Sequence, residues 1–207
     1  MKEPPLPLQF VNKQEFIFIG GSQLPHWNQQ NCVQFVTFRL ADSLPQQKLQ
    51  EYREMKAQWE KSHPKPWDEA TKKEYNNTFA TIIDKWIDAG YGDCILQDCN
   101  LRDILANTIL RYNGDRYIIH AFVIMPNHVH VLFSPRESNL VQDIVGGWKK
   151  FSAMAINRQM ECKGKKIWEH DSFDHMVRSW ERYQETVKYI TRNPQYLLPG
   201  TYTLYIK

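Results

Sequence analysis

The sequence has little cysteine and no long hydrophobic run. Its four cysteines, Cys32, Cys94, Cys99 and Cys162, form no C-x-x-C pair and no dense disulfide pattern. No apolar stretch approaches the roughly 20 residues of a membrane span, and the start of the chain lacks the apolar segment of a secretion signal. These absences predict a cytoplasmic protein with no membrane partner.

Excess charge is also scarce, since the formal net charge is only +3. Such a value indicates nothing by itself about partners. The charge is unevenly distributed, however: Gly146–Pro194 holds ten Lys and Arg against six Asp and Glu. The hydrophobic fraction of 42% and the charged fraction of 24% are ordinary for a globular domain.

Two apolar segments in the middle of the chain predict a pair of central strands. They are Tyr117–Met125 and His128–Ser134, joined by a tight Met-Pro-Asn connection. His128 and His130 are two residues apart, so on a strand their side chains share one face. Two imidazoles on a rigid strand can provide half of a divalent-metal site.

The histidine pair alone leaves alternatives open. Two ordinary hydrogen-bonded histidines would show the same spacing, and strand histidines two apart also occur in zinc enzymes. A zinc hydrolase would need a general base, and no Glu lies near the pair in sequence.

The wider segment His120–Phe133, read as HAFVIMPNHVHVLF, closely resembles the His-hydrophobic-His core of the HUH single-strand transposase superfamily. More narrowly, it is similar to the REP-associated tyrosine transposases, relatives of the insertion-sequence transposases that cut single-stranded DNA beside hairpins. Further matches follow in the family's order, from about residue 35 to residue 194: FVTFRL (35–40), Trp148-Lys149, Trp168–Arg178 and Tyr189–Pro194.

The resemblance implies an α+β fold, with a ferredoxin-like antiparallel sheet and helices mainly on one face. We expect one domain over residues 1–207, with an N-terminal arm at 1–31 and an inserted helical pair at 44–89. That pair, predicted as helices Leu44–Ser62 and about Asp68–Ala89, carries no residues that indicate chemistry. Further helices are expected at Asn100–Tyr112, Leu140–Ile156 and Trp180–Asn193, and a short strand at Thr201–Ile206.

Tyr189 and Asn193 lie four residues apart on the last predicted helix and so share a face. From the residues alone, Tyr189 could be a packing residue and Asn193 an ordinary helix terminus. The resemblance implies instead that Tyr189 is the nucleophile and that Asn193 completes a metal site with His128 and His130. Tyr183 is six residues earlier, about 240° round the helix. After Pro194 the chain departs from the family's Val-x-Ala-Gly-Leu pattern. This departure bears on how the last helix docks and therefore on Asn193 as a metal ligand.

The implied activity is transesterification of single-stranded DNA near hairpins, through a 5′-phosphotyrosine intermediate and with Mg²⁺ or Mn²⁺ as cofactor. The expected partner is single-stranded or hairpin DNA, bound by a monomer rather than a dimer. A hairpin-binding regulator that no longer cuts is the alternative. The predicted DNA path uses the basic residues around the site, with Trp168 available to stack on bases. The basic residues are Lys149, Lys150, Lys163, Lys165, Lys166 and Arg178.

The middle of the helix predicted at Leu140–Ile156 contains Gly146 and Gly147. Each glycine costs about 1 kcal/mol relative to alanine in a helix interior. We therefore expect a close contact at this pair, which a larger side chain would prevent.

Overall fold

A computed structural model describes residues 8–12, 18–20, 26–29 and 31–207 of the chain. The strands are β1 (Phe18–Gly20), β2 (His26–Asn28), β3 (Gln34–Arg39), β4 (Tyr117–Ile124), β5 (His128–Pro135), β6 (Phe173–Met176) and β7 (Thr203–Ile206). The helices are α1 (Gln46–Ser62), α2 (Glu69–Asp88), α3 (Cys99–Leu110), α4 (Val141–Gln159) and α5 (Trp180–Arg192).

Five of the strands form an antiparallel sheet in the order β6-β3-β5-β4-β7. The connection β3-α3-β4-β5-α4-β6 gives the first four strands the ferredoxin-like arrangement, and β7 extends the sheet beside β4. The α+β fold and the ferredoxin-like sheet predicted from the sequence are therefore confirmed.

Helices cover this sheet unequally on its two faces. α3 and α4 pack on one face, here called the core face, over a large apolar cluster that includes Phe38, Phe122 and Val131. The opposite face carries His128 and His130 and is here called the site face. A smaller cluster there includes Leu132 and Ile190 and lies beneath α5. Because β4 and β5 are covered on both faces, their sequences are nearly continuous apolar runs rather than alternating ones.

The inserted helical pair, α1 and α2, forms a hairpin with its own aromatic contacts. The Trp59 ring lies 4.9 Å from that of Tyr75, and Tyr75 lies 4.7 Å from Phe79, measured between ring centroids. Phe79 is buried, whereas α1 contains no buried residue. The predicted helices are thus present. The end of α2 lies close to His128 on the site face.

The predicted N-terminal arm lies mostly outside the described residues. Within it, β1 and β2 pair as a short antiparallel ribbon. None of the helices in the described ranges combines the length and apolar character needed to cross a bilayer.

The close contact expected at Gly146 and Gly147 is wrong. A methyl group added at either glycine would meet nothing within 4 Å. Gly147 instead lines a cavity of about 320 Å³ between α3 and α4, together with Tyr112 and Phe151.

Candidate functional site

His128 and His130 project from β5 onto the site face, where both are almost fully buried, at 1% and 2% exposure. Their Nε2 atoms lie 3.1 Å apart. Two ligands at right angles and about 2.1 Å from an octahedral ion would be about 3.0 Å apart. The separation of the two imidazole nitrogens therefore fits joint binding of one cation.

Each imidazole is held through its other nitrogen. The Nδ1 atom of His128 lies 2.8 Å from Oδ1 of Asn127, and the Nδ1 atom of His130 lies 2.7 Å from the Thr37 hydroxyl on the neighbouring strand. Partners of this kind orient metal-binding histidines and select their tautomer.

The tautomer of His128 follows from the contacts of Asn127. The Asn127 amide nitrogen donates to the carbonyl oxygens of Ile87 and Tyr91, at 3.0 and 3.1 Å. Because carbonyl oxygens only accept, the amide orientation is fixed and its oxygen must face His128. His128 therefore donates from Nδ1 and keeps a lone pair on Nε2.

Burial favours the neutral form of both histidines. Burial lowers the pKa of His130 to about 3. Burial and then the neighbouring His130 hold the pKa of His128 well below its ordinary value. Neutral imidazole is the form that binds metals.

Asp88, at the end of α2, contributes a carboxylate that the sequence analysis missed. Its Oδ1 lies 3.5 Å from Nε2 of His128, and ligand atoms of Asp88, His128 and His130 all lie within 4.8 Å of one another. The Asp88 side chain is 47% exposed, and its partial burial raises the pKa of the carboxyl group. Asp88 lies forty residues before His128 in sequence, and an acid at a helix end is too common to signal a site.

Tyr189 is brought to this cluster by α5. Ser179 caps the start of the helix, and Tyr183, Val187 and Ile190 form its inward stripe. Complete burial of Ile190 stabilises the docking by about 2 kcal/mol. Tyr189, next to Ile190, lies at the border of the stripe, with its hydroxyl 3.3 Å from Nε2 of His130.

Tyr183 occupies a different environment from Tyr189. Its ring stacks on Trp180 and meets the edge of His120, at centroid distances of 5.2 and 5.6 Å. His120 sits at the irregularity in β4 and contacts Ser134, away from the histidine pair.

Asn193 ends α5, and its backbone N–H donates to the carbonyl oxygen of Tyr189. Its side-chain Oδ1 is buried and accepts no hydrogen bond from any residue that the structure describes. A buried acceptor without a partner is costly. In the cluster of Asp88, His128 and His130, the carboxylate oxygen and the imidazole nitrogens suit a divalent ion.

The residues predicted to line the DNA path differ in how exposed their side chains are. Trp168 is only 6% exposed, packs on Phe38 and donates from its indole nitrogen to Ser152. The expectation that it stacks on bases is therefore wrong, because its ring belongs to the core beneath α4.

Lys149 is partly buried, and its amine donates to the carbonyl oxygens of His170 and Asp171. Burial lowers its pKa to about 8. It holds a loop in place and is not a freely exposed cation.

The basic turn after α4 lies at the end of the sheet where β5 begins. The Ala41 N–H donates to the Ile167 carbonyl, and the Leu40 N–H donates to the Asn127 carbonyl. Within this turn Lys165 pairs with Asp93. The other predicted DNA-path residues are exposed: Lys150, Lys163, Lys166 and Arg178. Lys166 pairs with Glu169, and Arg178 lies just before α5.

Parts of the sequence match known transposases. The profile of the family described as "Transposase IS200 like" matches residues 97–193. A REP-associated tyrosine transposase of Escherichia coli K12 is 27% identical over 92 residues, which is 44% of this chain and 53% of that protein. The match therefore spans about half the length of that relative.

Two solved structures also match this chain. One is the REP-associated tyrosine transposase bound to a REP hairpin, with 17% identity, TM-score 0.46, and coverage of 85% of this chain and 74% of the other. Another is described as a transposase candidate from Deinococcus radiodurans, with 16% identity, TM-score 0.36, and coverage of 90% of this chain and 98% of the other. The profile match and the E. coli relative confirm the resemblance seen in the sequence: residues 97–193 are similar to IS200-like transposases, and part of the chain is similar to a REP-associated tyrosine transposase.

Proposed function

We propose that this protein cleaves and rejoins single-stranded DNA beside hairpin elements through a covalent bond to Tyr189. The observation that carries the proposal is the position of the Tyr189 hydroxyl, 3.3 Å from one of two buried imidazole nitrogens that are 3.1 Å apart. A nucleophile beside a cation site is an arrangement suited to phosphodiester transfer.

A divalent ion would be held by His128, His130 and Asn193, with the Asp88 carboxylate as a further ligand. Such an ion, Mg²⁺ or Mn²⁺, would polarise a non-bridging phosphate oxygen. Imidazole nitrogens suit Mn²⁺ better than Mg²⁺, which prefers oxygen ligands. The Tyr189 hydroxyl reaches His130 of its own chain, which supports action as a monomer.

In the chemical step, the Tyr189 oxygen bonds to phosphorus as the bond from phosphorus to the 3′ oxygen breaks. The phenol proton passes to water or a nearby base, and the departing 3′ oxygen takes up a proton. The products are a 5′-phosphotyrosine and a free 3′-hydroxyl, which can attack in turn and reverse the step. An unperturbed phenol has a pKa of about 10, so the polarisation that such an ion would supply to the phosphate would favour attack near neutral pH.

We infer the DNA partner from similar proteins. A related structure is described as bound to a REP hairpin, and we propose hairpin DNA as the partner here. The exposed Lys150, Lys163 and Lys166 would contact phosphates. The link from Asn127 to α2 supports treating the helical pair as part of one functional domain.

A zinc hydrolase is the second candidate, because Asp88 now supplies the carboxylate that the sequence lacked near the histidines. That function gives Tyr189 no role. A hairpin-binding regulator would likewise leave the tyrosine without one.

The experiment is incubation of end-labelled hairpin DNA, extended by a single strand, with protein and Mn²⁺, followed by a denaturing gel and peptide mapping of the adduct. We expect an adduct on Tyr189 that Tyr189→Phe abolishes while DNA affinity stays unchanged. Tyr183→Phe is the matched control and should cleave normally. Cleavage without an adduct would favour the hydrolase, and binding without cleavage would favour the regulator.

A further inference from the structure

The edge strand β6 carries an aromatic side chain, Phe173, that is not buried in the core. Phe173 is 49% exposed. It pairs with Thr37 of β3, which in turn pairs with His130 of β5. Directly paired residues in an antiparallel sheet share a face, so Phe173 lies on the site face, two strand spacings or about 10 Å from His130.

A chain of ring contacts joins this residue to the nucleophile. Phe173 lies 6.0 Å from His175, His175 lies 5.2 Å from Phe35, and Phe35 lies 6.0 Å from Tyr189, measured between ring centroids. Phe35 also stacks on His130 at 5.5 Å. The exposed ring is therefore continuous with the proposed site.

This part of the site face stays accessible. α5 packs mainly over β4 and β5, and the ribbon formed by β1 and β2 lies beside β6 yet leaves half of Phe173 exposed. Arg178 is exposed and follows the end of β6 by two residues, so a guanidinium lies near the end of the same strand. An exposed aromatic ring with a cation close by is suited to an unpaired base and its phosphate.

We propose that Phe173 stacks on one unpaired base of the DNA strand entering the site, and so positions the scissile phosphate beside Tyr189. This inference rests on the proposed function. Bases inside a duplex are already stacked on both sides, so Phe173 would contact the single strand next to the hairpin and not the hairpin stem.

The test compares binding of two DNAs, a hairpin with a single-stranded extension and the same hairpin without it. Both are measured in a Tyr189→Phe background, so that cleavage does not interfere. Loss of one base–aromatic stack weakens binding by about five- to 150-fold. We expect Phe173→Ala to cause such a loss for the extended DNA alone, and Phe173→Trp to retain affinity.

Phe151→Ala is the matched control, because Phe151 is 51% exposed but lies on α4, across the sheet. It should bind both DNAs normally. The proposal is overturned if the extension adds no affinity in the Tyr189→Phe protein itself, if Phe173→Ala binds the extended DNA normally, or if it loses affinity equally for both DNAs.

The two experiments can distinguish failure of the stacking proposal from failure of the proposed cleavage function. An adduct on Tyr189 with normal binding by Phe173→Ala would reject only the stack. Absence of any adduct, with selective loss of binding by Phe173→Ala, would keep the stack and reject the cleavage chemistry.

Discussion

Replacing Thr37 with valine tests whether the partners of the histidines set the affinity for metal. The Thr37 hydroxyl lies 2.7 Å from Nδ1 of His130, in a strand where Thr37 is only 6% exposed. Valine has nearly the same shape, so the strand should keep its packing. The imidazole would lose its hydrogen bond in a buried place, at a cost of about 1–3 kcal/mol in the free energy of unfolding.

Loss of such a partner generally lowers metal affinity about 10- to 100-fold. That range equals about 1.4–2.7 kcal/mol of binding free energy. We therefore expect the dissociation constant for Mn²⁺, measured by isothermal titration calorimetry, to rise by that factor in Thr37→Val. Cleavage should recover at high Mn²⁺ concentration, because the nucleophile is untouched.

Thr37→Ser is the matched control, since it keeps the hydroxyl and removes only a methyl group. It should bind Mn²⁺ with nearly the native affinity. If Thr37→Val also binds Mn²⁺ as the native protein does, the hydroxyl does not orient His130 for metal, and the interpretation of this contact is refuted.

Three further predictions concern other parts of the molecule. Asp88→Asn should weaken Mn²⁺ binding in the same titration, and unchanged affinity would exclude its carboxylate as a ligand. Burial, and then the charge of Lys207, lower the pKa of His120 to about 4 from an ordinary 6.5, so the unfolded chain takes up this proton first as pH falls. His120 should therefore contribute about 3 kcal/mol to the decline in native stability between pH 6.5 and pH 4. Urea titrations of His120→Gln should show a decline that is shallower by about this amount, and an identical decline would contradict the prediction. Lys163→Ala should reduce the salt dependence of single-strand binding by a slope of about 0.7, and an unaltered slope would remove Lys163 from the phosphate path.

The sequence predicted the sheet and the histidine pair well, for a local reason. β4 and β5 lie in the centre of the sheet and are covered on both faces, so their apolar character is continuous and easily recognised. His128 and His130 are separated by a single residue, and alternation along one strand is enough to place them together. Here local pattern and tertiary structure coincide.

Asp88 shows the opposite case. The end of α2 reaches the histidines only because the chain folds back between β3 and β4. No periodicity along the sequence contains that information. Trp168 could not be assigned for a related reason: its place on the core face depends on its bridge to Leu40, and a shift of one residue would have turned the indole to the site face.

Asn127 has a consequence for any attempt to shorten this protein. Its amide group joins the carbonyl oxygens of Ile87 and Tyr91 to the imidazole of His128. Removing residues 44–89 would leave the amide hydrogens without their acceptor at Ile87 and free the side chain to rotate. The excision would therefore disturb the chemistry of a histidine forty residues away, and a minimal version of the protein must keep the base of the helical hairpin even where its tip can be trimmed.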